Sequence, residues 1–349
     1  MPGSGRRKWI FVGAFSVVAL AGGGALLSSY LEGRKLGSES AVALTPEGLC
    51  VSGRNDGCWV EDVVRGERVR KLPGLDGKVN RVAVDASGRV AAAVGSGRLA
   101  VFDIASGEER MSTTGIWGVL ALSADGSRVA LGADDLRVYD TSGGRLVAAL
   151  GEPFEREGGL DVRPDGRRVA FTRRVKVAQG ARSLFALLVW DLETGSKVEL
   201  LRSECGSEAV VFDPTGRRLA VNDYHAVKLI DAETGAPIWM SDPQPANVYT
   251  IVFDREGKRL ACGDGNGNVR VLAASTGARL ADFPAKADEG GAYALAFAPD
   301  GQRLFAVSVL GWLPASRVID GIPAAPPGAL ELEAPEPGAA RAPGAPTPK

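Results

Sequence analysis

Through most of the chain, apolar and polar side chains alternate in short runs that end at clusters of Asp, Gly, Ser and Thr. Period-two alternation bounded by turn residues predicts short, half-buried β-strands. The three-and-four spacing of an amphipathic helix is absent from the body of the chain. Residues 9–27 differ. They form one continuous apolar run, WIFVGAFSVVALAGGGALL, behind Arg6, Arg7 and Lys8.

The strand pattern repeats. One element is an alternating strand closed by a turn of the form D-x-x-G-x-R: AVALTPEGL, VAVDASGRV, LALSADGSRV, LDVRPDGRRV, VVFDPTGRRL, IVFDREGKRL and LAFAPDGQRL. Its turn glycines are Gly48, Gly88, Gly126, Gly166, Gly216, Gly257 and Gly301, separated by 40, 38, 40, 50, 41 and 44 residues. A second element ends a strand in an acid before a tight turn: VEDVVRG, VFDIASG, VYDTSGG, VWDLETG and LIDAETG. The sixth copy, VLAASTG, has Ala273 in place of Asp, and the seventh reaches only VIDG. A strand-end Asp can accept backbone N–H bonds two residues on, and Gly supplies the positive φ at the turn exit. Each unit therefore reads as a four-stranded meander. A lone meander cannot bury both faces, so the units must stack and close radially. A period near 40 residues predicts an all-β, seven-bladed β-propeller of four-stranded antiparallel blades over residues 36–322, preceded by one N-terminal hydrophobic helix.

The pattern V-x-x-V-x-F-x-P-D-G-R-R-L-A followed by V-x-L-x-D-x-x-T-G resembles the WD-repeat family and its bacterial YVTN-like relatives, over residues 40 to 322. Trp190-Asp191 is the one literal WD dipeptide. The family's Gly-His pair before the inner strand is missing, so the hydrogen-bond network built on that pair is not implied. LIDAETGAPIW, ending at Trp239, also looks like a quinone-cofactor propeller repeat. The resemblance implies that loops between second and third strands, and those between blades, share one binding face.

Repeat proteins carry function where the repeat deviates. Residues 172–183, TRRVKVAQGARS, lengthen the fourth unit and suit a protruding hairpin bearing Arg173, Arg174, Lys176 and Arg182. They fit an acidic partner or anionic headgroups, or else a solvated edge whose charges block sheet aggregation. Residues 309–316, VLGWLPAS, form an uncharged insertion with Trp312 and Leu313, fitting a binding hot spot or the bilayer interface, or else the ring's own closure. These six residues are the candidate partner-binding set.

Other chemistry is sparse. His225 is the sole histidine, and no G-x-S-x-G elbow accompanies it. Gly263-Asp264-Gly265-Asn266-Gly267 reads as a hairpin turn, and Ser275 stands where a calcium loop starting at Asp264 needs its Glu. No catalytic, cofactor or metal residue is assigned. Cys50 and Cys58 are symmetric about Arg54, so a hairpin centred there would let them form a disulfide or leave two buried thiols. Cys205 and Cys262 have no pairing signature.

The ends set location. Residues 1–35 read as a basic start with a membrane anchor, or with a signal segment cleaved near Ala19-Leu20-Ala21. The expectation is a single-pass inner-membrane protein with its propeller outside the cytoplasm; the alternative is a secreted or periplasmic protein. Residues 323–349 hold eight prolines and read as a disordered Pro/Ala-rich tail, although Ala329-Leu330-Glu331-Leu332-Glu333 alternates like an outer strand. A net charge of -1 argues against a nucleic-acid partner. The sequence thus points to a non-catalytic protein-interaction scaffold at the bacterial cell envelope, with a protein partner and a membrane contact through the N-terminal segment. An exported propeller enzyme, a lactonase or quinoprotein-like dehydrogenase, is the competing reading.

Overall fold

The computed structural model describes residues 41–326, except 46–48, 63–66, 116–117, 155–158, 176–183, 205–208, 286–289 and 311–312. The apolar N-terminal run, the ALELE segment, Lys176, Arg182, Cys205 and Trp312 lie outside these residues. Among the described residues every regular element is a strand, and no helix is long and apolar enough to cross a membrane.

The strands form seven antiparallel sheets in sequence order, the seven blades predicted from the turn spacing. Blade one contains β1 (Ala41–Leu44), β2 (Leu49–Arg54), β3 (Gly57–Asp62) and β4 (Glu67–Leu72). Blade two contains β5 (Val79–Val84), β6 (Val90–Gly95), β7 (Arg98–Asp103) and β8 (Glu109–Thr114). Blade three contains β9 (Val119–Leu122), β10 (Arg128–Gly132), β11 (Asp135–Asp140) and β12 (Leu146–Pro153). Blade four contains β13 (Leu160–Val162), β14 (Arg168–Val175), β15 (Leu184–Asp191) and β16 (Lys197–Ser203). Blade five contains β17 (Val210–Phe212), β18 (Arg218–Asp223), β19 (Ala226–Asp231) and β20 (Pro237–Met240). Blade six contains β21 (Val248–Phe253), β22 (Arg259–Asp264), β23 (Val269–Ala273) and β24 (Arg279–Phe283). Blade seven, among the described residues, contains only β25 (Gly291–Phe297), β26 (Leu304–Leu310) and β27 (Leu313–Ile319).

First strands of neighbouring blades touch around the axis, and β25 touches β1. The core is therefore a set of layers between blades. Val60 and Leu72 of blade one pack on Val79, Ala91 and Phe102 of blade two. Blades four and five meet through Leu187 and Val189 against Phe212 and Ile230. The ring closes where Cys50 of blade one packs on Ala296, Ala298 and Phe305 of blade seven. The second strand of blade two, Val90–Gly95, sandwiched between neighbours, is apolar and buried throughout; outer strands such as Glu67–Leu72 keep a wet side.

The two repeated turns have the chemistry their sequence implies. Asp213 Oδ1 accepts the N–H groups of Arg217 and Arg218, both at 2.9 Å, and Gly216 follows at φ 69°. In the second turn, Asp231 Oδ1 accepts the N–H of Glu233 at 3.0 Å and of Thr234 at 2.8 Å. A Cβ on Gly235 would lie 2.3 Å from the Leu200 carbonyl oxygen of blade four, so close blade packing also requires glycine there.

The first-blade hairpin differs from its sequence reading. Arg54 pairs with Gly57, so the turn is Asn55-Asp56. Cys58 then sits opposite Gly53, while Cys50 sits opposite Glu61. The offset is odd, so the two thiols face different sides: Cys58 joins the layer toward blade two and Cys50 the layer toward blade seven. This placement does not form the Cys50–Cys58 disulfide.

Candidate partner-binding rim

Antiparallel pairing sends second-to-third-strand connections and inter-blade connections to one end of the ring. The D-x-x-G and D-x-x-T-G turns occupy the other end. Both sequence departures are second-to-third-strand connections, so they share the first end.

In blade four, β14 and β15 have eight residues each, against six for the corresponding strands of blades one, two and five. The added pairs are Arg174 with Phe185 and Val175 with Leu184. The strands of this hairpin are therefore longer than those of its neighbours, and residues 176–183, with Lys176 and Arg182, lie outside the described residues. Arg173 is anchored: Nη1 donates to Glu152 Oε2 of blade three at 2.6 Å, and Lys197 of β16 contacts the same carboxylate. These cations hold the Glu152 carboxyl below its usual range, with Lys197 the larger cause. Arg174 is exposed, with its guanidinium 5.6 Å from the Phe185 ring centroid. Of the two described arginines, Arg174 is thus the outward one, and Arg173 ties blade four to blade three.

In blade seven the strand pattern corrects the expected insertion. Leu310 pairs with Leu313, Val309 with Pro314 and Val307 with Ser316. Most of 309–316 is thus regular hairpin, and residues 311–312, with Trp312, lie outside the described residues. Leu313 is the first residue of β27.

Blade five adds a residue that the sequence reading passed over. Tyr224 leads the β18–β19 turn with φ 50°, a left-handed conformation costly for a bulky side chain. It is 49% exposed, and its hydroxyl donates to the Glu204 carbonyl at 3.2 Å. His225 follows, with Nδ1 3.0 Å from the Gln244 carbonyl oxygen. As a donor there, the imidazole is committed to structure. An aromatic in a turn slot otherwise held by Ser96 or Asn55 was the available signal.

Other reactive groups are enclosed. Burial pushes the Cys58 and Cys262 thiols up to about 12. Asp264 is buried and accepts the N–H groups of Asn266 and Asn268, both at 2.9 Å, confirming the hairpin turn. Asp161 on innermost β13 is buried; its Oδ2 accepts the Phe212 N–H of blade five at 2.8 Å. Desolvation raises its carboxyl to about 8. At the opposite end, a cleft of about 340 Å³ lies between the turns of blades six and seven, beside Lys258, Asp300 and Ile322. Arg259 in its wall is held by Asp254 at 2.7 Å and by the Pro323 carbonyl at 3.1 Å. Among the described residues, no cluster of three or more His, Cys, Asp or Glu is arranged to hold a metal ion.

Compared with known proteins, the chain matches no protein-family model and no curated relative. Its seven-bladed ring is consistent, at the level of fold, with the resemblance to WD-repeat and YVTN-like propellers.

Proposed function

We propose that this protein is a non-catalytic interaction scaffold of the bacterial cell envelope, held at the membrane through residues 9–27, with its propeller outside the cytoplasm. The lengthened β14–β15 hairpin carries the reading: it departs from the repeat and presents the exposed Arg174 on the end of the ring that also carries Tyr224, and the sequence adds the basic residues Lys176 and Arg182 and the aromatic Trp312. Arginine and aromatic residues are the composition favoured at binding hot spots. The repeated carboxylates support the same reading, because they are spent on turn N–H groups and inter-blade arginines. The partner is a protein with an acidic patch, and no nucleic acid is involved. A cleaved, periplasmic form would use the same rim.

Capture from solubilised membranes, read by mass spectrometry, tests this. Arg174→Glu and Trp312→Ala are each expected to reduce recovery of the same partner several-fold while leaving thermal unfolding nearly unchanged. Arg173 is unsuitable for this purpose, since its loss breaks the bridge to Glu152. Unaltered capture by both variants would place the interface elsewhere. Turnover of a lactone or an alcohol that disappears on changing one channel-lining residue would favour the exported-enzyme alternative instead.

A further inference from the structure

The pair Arg174–Phe185 belongs to the length by which β14 and β15 exceed the six-residue strands β18 and β19 of blade five. The pleat fixes where its side chains go. Along β14, Ala170 packs in the layer toward blade five, and Val169 and Phe171 in the layer toward blade three. Along β15, Leu187 and Val189 face blade five, and Ala186 and Leu188 face blade three. Successive side chains alternate, so Arg174 and Phe185 both stand on the blade-five side. Arg173, one step earlier, points the other way and reaches Glu152 of blade three. The Arg174 guanidinium accordingly lies over the Phe185 ring, 5.6 Å from its centroid.

Tyr224 comes to the same place from blade five. Phe185 pairs with Ser203 of β16, and the next residue, Glu204, accepts the Tyr224 hydroxyl through its carbonyl at 3.2 Å. Two strand spacings, about 10 Å, separate Arg174 from Ser203 across the sheet. Exposed Arg174, half-buried Phe185 and exposed Tyr224 therefore line one notch, at the rim end of the seam between blades four and five.

We propose that this notch binds a segment of the partner protein in which an acidic side chain stands beside a large apolar one. The inference rests on the reading of this rim as the partner-binding end. A guanidinium offers a planar fork to a carboxylate, and the two rings offer apolar surface to the neighbouring side chain.

Strain at Tyr224 supports a role outside the fold. Tyr224 at φ 50° and Ser96 at φ 51° are the non-glycine residues with positive φ among the described residues. That conformation is costly for a bulky side chain. The Tyr224 carbonyl accepts the Val248 N–H at 2.7 Å, which a residue of any type would do. The bond from its hydroxyl to Glu204 is solvent-exposed, so the ring returns little to stability. Asn would fit the turn with less strain. What the ring adds is contact surface on the rim.

Binding of the full chain, in detergent, to short immobilised peptides tests the inference. One peptide set places Asp or Glu beside Phe, Trp or Leu, and the other replaces the acid with Asn or Gln. The acidic set is expected to bind more tightly. Tyr224→Asn should weaken its binding by about tenfold or more, with an equal or higher melting temperature. Tyr224→Phe keeps the ring and should bind as the natural protein does. Arg174→Gln should remove the preference for the acidic set. A lower melting temperature in Tyr224→Asn would show that the ring serves the fold, and unaltered binding would show that it touches no peptide. Either result overturns the inference. If Arg174→Gln weakens binding and Tyr224→Asn does not, the rim remains the binding end and the notch falls. Absence of peptide binding overturns it too, and retention on phosphatidylglycerol vesicles instead would assign these residues to a lipid surface.

Discussion

Arg218 holds Asp213 by Nε to Oδ2 at 3.0 Å, and the other end of the same guanidinium reaches the Gly257 carbonyl of blade six at 2.9 Å. Both side chains are buried, at 7% and 0% exposure. Removing one partner of a buried pair strands the other charge, at a cost of about 3–5 kcal/mol. Arg218→Ala is expected to lower unfolding free energy by that amount in urea titration. Arg218→Lys should cost less, since it keeps the charge and loses the fork that reaches Gly257. Arg168→Ala removes a half-exposed counterpart that bonds Asp191 at 3.0 Å, and should cost about 1 kcal/mol or less. Equal losses at the two sites would mean that burial does not set the worth of these arginines.

Arg218 also shows how much the sequence reveals. The G-x-R pattern is visible because the turn needs glycine at a fixed period. The arginine's second partner is not, because Gly257 belongs to the next blade and becomes a neighbour only when the ring closes. The cysteine pairing failed for a local reason. Symmetry about Arg54 ignored that Arg54 continues its strand, buried against Glu61 at 2.7 Å, which moves the turn to Asn55-Asp56. At the candidate rim, the long hairpin was legible as an excess of residues. That Arg173 is pinned by Glu152 was not, since the bridge crosses between blades.

The cysteines yield a chemical prediction. Thiolate is the reactive form, and burial holds Cys58 and Cys262 near 12, well above the ordinary value. Alkylation of the native protein at pH 8 should leave both unmodified, and mass mapping after unfolding should show both fully labelled. A peptide linking Cys50 to Cys58 in the non-reduced protein would contradict their placement on opposite faces of the blade.

Asp161 makes folding pH-dependent. It occupies a position held by Ala43, Ala83, Ala121, Val211, Val252 and Ala296 in the other blades, five residues before each turn glycine. An apolar slot between blades four and five therefore contains a carboxyl, and desolvation raises it from 3.8 to about 8, partly offset by the Phe212 N–H. Between those two values the folded protein binds a proton that the unfolded chain has released. Stability from this group is complete below the unfolded value, declines as pH rises through the window, and is constant above about 8. Asp161→Asn keeps an oxygen for Phe212 and cannot ionise, so it should lack this slope. The variant should gain on the natural protein by up to about 1.4 kcal/mol per pH unit within the window. Urea midpoints at acid, neutral and mildly alkaline pH measure the gap. A gap unchanged from pH 5 to 8 would show that the carboxyl ionises as an exposed one does.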